Sequence, residues 1–304
     1  MPEMITPPYL KKNDTVGIVS PAGQIKKESI DNAINTLVRY GYNVVVSPGA
    51  LSADGYFAGT DQQRAQHFFD MLQDDRVRAI FCARGGYGTA RMLEHLDLSI
   101  IRKKPKWIIG FSDITAMHLK INNEYNVESI HGVMPSGFRS ADEKDVSLNT
   151  LINVLEGNKI SYHEPTHPLS IHGRAEAVVT GGNLSVILSL RGTRYDIETK
   201  NKILLIEEID EYSYHLDRMM YNLYLGGKLS GLKGLIIGQL TEIKDTKTSF
   251  GKNGWEIIKH YAGRYDYPVI MNFPIGHDTI NLPIILGRKT IIQVNRLETL
   301  VECT

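Results

Sequence analysis

From residue 15 to about residue 133, short β-branched runs alternate several times with longer stretches in which apolar residues recur every three or four positions. Few architectures satisfy that alternation, because neighbouring parallel strands need a crossover between them and the crossover is usually a helix. Residues 16–20 read as the first strand. Residues 25–40 follow as a helix with Ile30, Ala33, Ile34, Leu37 and Val38 on one face and Gly41 as its stop. The cycle repeats with a strand at 43–46, a helix at 60–72 carrying Phe68, Phe69 and Leu72, a strand at 79–83 and a helix at 87–96. A strand at 106–111 and a helix at 114–125, with Ile114, Met117, His118 and Ile121 on one side, complete the series. The expectation is an α/β fold whose N-terminal domain is a flavodoxin- or Rossmann-like parallel sheet covered on both faces.

At 304 residues a single core is near its practical limit, so two domains are expected. Between residues 157 and 174 neither period holds, and two prolines, three histidines and two glycines occur. This stretch reads as a linker at 161–174, between an N-terminal domain over 1–160 and a smaller C-terminal domain over 175–304. Strands at 176–180, 203–207, 235–238, 269–272 and 290–295, with helices at 184–190, 215–225 and 255–261, make that second domain mixed α and β.

Thirty-four basic residues balance 34 acidic ones, and no basic stripe stands out, which excludes the electrostatic footprint of a nucleic-acid binder or an anionic-membrane binder. Residues 1–12 hold no apolar run of signal-peptide length, and no run reaches the roughly 18 apolar residues of a membrane span. A cytoplasmic protein acting on a small molecule or peptide is expected, and its two cysteines suit a reducing compartment.

The strongest chemical signal is Trp107-Ile108-Ile109-Gly110-Phe111-Ser112-Asp113-Ile114, a strand entering Gly-x-Ser and then a helix. That is the setting of a nucleophile elbow, although the second glycine of the hydrolase pattern is replaced by Ile114. The alternative is that Ser112 or Asp113 is a helix N-cap. A serine nucleophile needs a histidine to take its proton and a carboxylate to orient that histidine. Among ten histidines His277 stands out, on the glycine-containing loop that follows the strand at 269–272. Glu207 and Glu208 end an apolar strand, and alternation turns them to opposite faces, so only one can serve the base.

Arg84-Gly85-Gly86-Tyr87-Gly88, between a strand and a helix, offers N–H groups to an oxyanion or phosphate, but lacks the dinucleotide and P-loop spacings. Cys82 lies within the strand and reads as packing. His163-Glu164-Pro165-Thr166-His167 matches the His-Glu-x-x-His pattern, but that motif requires a helix and Pro165 and Pro168 forbid one, so no catalytic zinc is expected.

Taken together, the segments Val16-Gly17-Ile18-Val19-Ser20-Pro21-Ala22, Ala83-Arg84-Gly85-Gly86-Tyr87-Gly88, Gly110-Phe111-Ser112-Asp113, Gly181-Gly182-Asn183-Leu184, Ile206-Glu207-Glu208, Asp217-Arg218 and Gly276-His277 resemble the LD-carboxypeptidases. These form the S66 serine peptidase group, which includes microcin C immunity peptidases. The resemblance implies a Ser/Glu/His triad: Ser112 as nucleophile, His277 as base, and Glu207 as orienting acid with Glu208 the alternative. It implies a site at the domain interface, an oxyanion hole from the N–H groups of Asp113 and Gly86, and no metal or organic cofactor. Arg84 and Asn183 are candidate substrate contacts, since a carboxypeptidase must recognise a terminal carboxylate. The implied substrate is a murein-derived tetrapeptide, and the implied assembly a homodimer. A peptidyl-nucleotide antibiotic as substrate, or a nonenzymatic small-molecule sensor, are the rival readings.

Overall fold

The chain makes the expected alternation of strands and helices. The computed structural model describes residues 3–139 and 145–303, so the ends of the expected domain ranges, at 1 and 304, lie outside the described residues. In the first unit the elements are β1 (Thr15–Val19), α1 (Lys27–Arg39), β2 (Asn43–Val46), α2 (Asp61–Gln73), β3 (Val77–Cys82), α3 (Thr89–Met92), β4 (Trp107–Gly110), α4 (Thr115–Lys120), β5 (Ser129–His131) and α5 (Val146–Leu155). The second unit carries β6 (Ser161–Pro165), β7 (Gly173–Asn183), α6 (Leu184–Ser189), β8 (Ile203–Ile209), α7 (Ser213–Leu225), β9 (Gly234–Thr241), α8 (Gly254–Ala262) and β10 (Val269–Ile270). After these come β11 (Ile284–Leu286), β12 (Lys289–Val294) and β13 (Glu298–Cys303).

The first sheet has the order β11-β5-β4-β3-β1-β2, and β2, β1, β3, β4 and β5 run parallel. This is the flavodoxin-like order, in which ligands gather beyond the carboxyl ends of the strands. Consecutive residues of β1, β3 and β4 are buried, so both faces of the sheet are covered. Helix α2 starts at a full capping box between Thr60 and Gln63 and buries Phe68 and Leu72, packing against β1 and β3. Each such side chain contributes about 1.5–3 kcal/mol through burial. In α1 the buried stripe is Ile30, Ala33, Thr36 and Leu37, whereas Val38, expected on that face, is 53% exposed. Helix α3 is far shorter than the predicted 87–96: it begins only after Gly88, at φ +123, and Asp97 then turns the chain by accepting the Ser99 N–H.

The second sheet, ordered β10-β9-β8-β7-β12-β13-β6, is parallel from β10 to β7 and antiparallel from β7 to β6. Strand β7 joins the two regimes, pairing antiparallel with β12 in its first half and parallel with β8 in its second. The expected linker at 161–174 is corrected here. Residues 161–165 are β6, an edge strand on β13, and the units divide after Asn158. Pro165 hid the strand, yet an edge position tolerates proline because no ladder hydrogen bond is lost there. The first unit also takes in Leu282–Ile285, so β11 is a late return to the first sheet.

Candidate active site

Strand β4 stops at Gly110, and Ser112 follows in the left-handed region at φ +60, opening a 3-10 turn (Ser112–Ile114) that continues into α4. A non-glycine residue there stores about 1–3 kcal/mol of strain and is typical of an elbow that lifts a side chain off the sheet. The capping alternative fails on contacts. No side chain caps this turn, and the Asp113 carboxylate instead accepts the N–H of Thr89 in α3 at 2.8 Å. Burial pushes the Asp113 carboxyl above its usual range, against the opposing Thr89 hydrogen bonds and the Arg64 charge.

The turn after β3 lies directly against the elbow. A Cβ on Gly85 would stand 2.9 Å from Ser112 Cβ and 3.0 Å from its Oγ, so only glycine lets the two turns approach this closely. That brings the Asp113 N–H and the Gly85-Gly86 backbone, the groups expected to bind an oxyanion, onto one patch. Arg84 is exposed beside it and donates from Nη1 to the Gln24 carbonyl at 2.8 Å. Cys82 is fully buried, and burial, with the Asp113 charge, holds its thiol well above its ordinary value, so it supplies no thiolate.

Sequence reasoning gave His118 only a place on an inward helical face. The structure shows a bridge: its Nε2 lies 2.9 Å from the Gly110 carbonyl and its Nδ1 2.9 Å from Ser129 Oγ. A carbonyl can only accept, so Nε2 carries the proton. Burial lowers the imidazole to about 4, outweighing the Gly110 hydrogen bond, and keeps it neutral. His118 thereby ties the end of β4 to β5.

In the second unit β8 runs on to Ile209, two residues past the expected end at 207; Glu207 lies within it and is fully buried, and its Oε2 lies 2.7 Å from His277 Nδ1. The loop bearing His277 approaches so closely that a Cβ on Gly276, at φ +133, would sit 3.1 Å from that oxygen. With Nδ1–H donated to the carboxylate, the neutral ring carries its lone pair on Nε2. Burial acts to lower the His277 pKa, but the charge and hydrogen bond of Glu207, with the Glu208 charge, outweigh it and hold the group above its ordinary value.

Glu208 points elsewhere, accepting from Asn183 Nδ2 at 3.0 Å, Ser185 N at 2.7 Å and Ile209 N at 2.9 Å. The alternation predicted for the two glutamates is thus realised, with Glu207 on the histidine. Asn183, expected at the substrate, is buried, caps α6 by accepting the Val186 N–H at 3.1 Å, and anchors Glu208. Sequence reasoning also passed over Gln239 and Asn281, which bind the His277 loop; a lone amide at a strand end or in a loop leaves no periodic signal. The His163 to His167 segment is not helical: His163 lies on β6 against Glu298, and His167 lies beside Trp255. Among the described residues no group of three or more metal-ligating side chains occurs, and no helix is long and apolar enough to cross a membrane.

Residues 16–132 match the profile of the LD-carboxypeptidase N-terminal domain, and residues 176–292 that of the LD-carboxypeptidase C-terminal domain. The chain belongs to the LD-carboxypeptidase family. Its family makes it a hydrolase of the carboxypeptidase class. Among its relatives, a "probable murein peptide carboxypeptidase" of Bacillus subtilis is 32% identical over 97% of this chain and 94% of that protein. The murein tetrapeptide carboxypeptidase of Pseudomonas aeruginosa is 26% identical over 93% and 94%. In fold, this LD-carboxypeptidase matches the muramoyltetrapeptide carboxypeptidase of Oxalobacter formigenes with a TM-score of 0.87 at 24% identity, over 95% of this chain and 98% of the other. It matches the self-immunity protein MccF, solved with aspartyl sulfamoyl adenosine, with a TM-score of 0.86 at 22% identity over 99% and 98%.

Proposed function

We propose that this protein is a cytoplasmic, homodimeric serine carboxypeptidase that cleaves an L,D-peptide bond, releasing the terminal D-alanine of a murein tetrapeptide during cell-wall recycling. The observation that carries the reading is the 2.7 Å contact between His277 Nδ1 and the buried Glu207 carboxylate, which fixes the tautomer of a base. In this mechanism His277 Nε2 takes the Ser112 proton as Oγ attacks the carbonyl carbon. The tetrahedral oxyanion is met by the N–H groups of Asp113 and Gly86. His277 returns the proton to the leaving amine, and water, activated by the same imidazole, hydrolyses the Ser112 ester. Arg84, exposed beside the elbow, receives the terminal carboxylate of the peptide. Neither metal nor organic cofactor enters any step. The names of the relatives from Bacillus subtilis and Pseudomonas aeruginosa support murein peptide as the substrate class.

The test is mass spectrometry of the purified protein with a disaccharide-free murein tetrapeptide, beside Ser112→Ala. Loss of one alanine with the wild type only is the expected result. No loss while Ser112 still reacts with a fluorophosphonate probe refutes the substrate and directs the search to peptidyl-nucleotide amides. No loss and no labelling refutes the hydrolase and leaves a small-molecule sensor.

A further inference from the structure

The β8/β9 ladder slips where it meets Glu207. Ile206 pairs with Ile237, but Glu208 pairs with Leu240, so β9 holds one more residue than β8 across this step. Bulges are uncommon between parallel strands, and they serve to re-aim a side chain next to a site. The two residues facing Glu207 are Gly238 and Gln239. A Cβ on Gly238 would fall 2.4 Å from the Ile275 carbonyl and 2.9 Å from Glu207 Cβ, so the loop carrying His277 lies directly on the bulge.

Gln239 then grips that loop three times. Its backbone N–H donates to Ile275 O at 2.7 Å, its Oε1 accepts the Asp278 N–H at 3.0 Å, and its Nε2 donates to Ile280 O at 3.0 Å. These anchors bracket His277 on both sides, and Asn281 Oδ1 adds a fourth by accepting the Gly276 N–H at 3.1 Å. From this geometry we infer that Gln239 is a positioning residue, which through the β9 bulge holds the His277 ring on Glu207.

The inference rests on the proposed role of His277 as base and deepens it. The charges that raise the imidazole are Glu207 and Glu208 of β8; Asp278 is its neighbour in the loop, and β9 contributes the uncharged Gln239. When the loop slackens, the ring leaves Glu207 while burial remains, so its titration moves to lower pH. Gln239→Met keeps the volume and removes both side-chain bonds. It should lower kcat about 10- to 100-fold with KM unchanged within about twofold, the scale expected when a reacting group shifts by about an ångström. It should also lower the His277 midpoint in an NMR titration of the imidazole. Gln239→Asn, an amide too short to reach both Asp278 and Ile280, should do the same more weakly, and it decides the question on both readouts should Gln239→Met not fold. Folded variants with wild-type kcat and an unmoved His277 titration overturn the inference. The titration needs no substrate, so it reads the positioning role even if the wild type leaves murein peptide uncleaved, a result that refutes the proposed function alone.

Discussion

The Ser112 elbow and the Glu207–His277 pair are both hydrogen-bonded, partly buried devices toward the carboxyl ends of parallel strands, yet they are built by different means. The elbow is made by eight consecutive residues, with strain at one backbone position and a glycine in the facing turn. The pair is assembled from β8, a bulge in β9 and a loop beyond β10, through many long-range anchors. Presenting a nucleophile needs a fixed backbone conformation, which neighbouring residues can supply. Orienting a base needs a fixed side-chain azimuth, which only contacts from elsewhere can supply.

The sharpest way to break the comparison is at its two reacting groups. Ser112→Ala should lower turnover by several orders of magnitude with the melting temperature unchanged, and normal turnover in that variant would remove the serine mechanism. Next in size, Glu207→Gln should cost about 100- to 10,000-fold in kcat, by loss of tautomer control, while Glu208→Gln should lower stability through its three donors more than it lowers kcat. Steady-state kinetics beside thermal melts separates the two, and an equal loss of kcat in both would contradict the division of labour.

Smaller losses, about 10- to 100-fold, are expected when each device is crowded by one methyl group: Gly85→Ala should disturb the elbow and Gly276→Ala the pair. Fluorophosphonate labelling rates tell them apart, because Gly276→Ala should leave Ser112 in place and change the pH dependence of labelling. The least effect is one of position rather than size. The proposed mechanism requires neutral His277, and its pKa is held above the ordinary value of about 6.5, so kcat/KM should decline as pH falls from a point above that value. In Glu207→Gln the raising charge is gone and burial remains, so the residual activity should persist to lower pH. A midpoint that does not move would mean another group sets the limb.

This contrast also explains what the sequence could disclose. Strand β2 was placed to the residue, and β4 and its elbow nearly so, because β-branched runs and Gly-x-Ser are local patterns. The short strands β5 and β11 carry too few residues to display a period, and β6 was masked by Pro165. The strand predicted at 269–272 ends at Ile270 because Asn272 turns left-handed at φ +57. Among site residues, the turn at Ser112 and the candidacy of Glu207 and His277 are legible as motifs, but the choice of Glu207 over Glu208 as the partner of His277, the employment of Asn183 as a cap and the grip of Gln239 depend on strand register, which no single segment encodes.

The late return of β11 has a consequence for how the molecule comes into being. The edge of the first sheet beside β5 is covered by residues 284–286, so a nascent chain can lay down its other five strands early in synthesis but closes that edge only after the whole of β6 to β10 has been made. Until then β5 offers unpaired N–H and C=O groups to any passing strand. A truncated product ending at the boundary after Asn158 would keep that edge bare permanently, which makes the N-terminal portion alone a poor expression target and places its protection in the hands of residues 284–286.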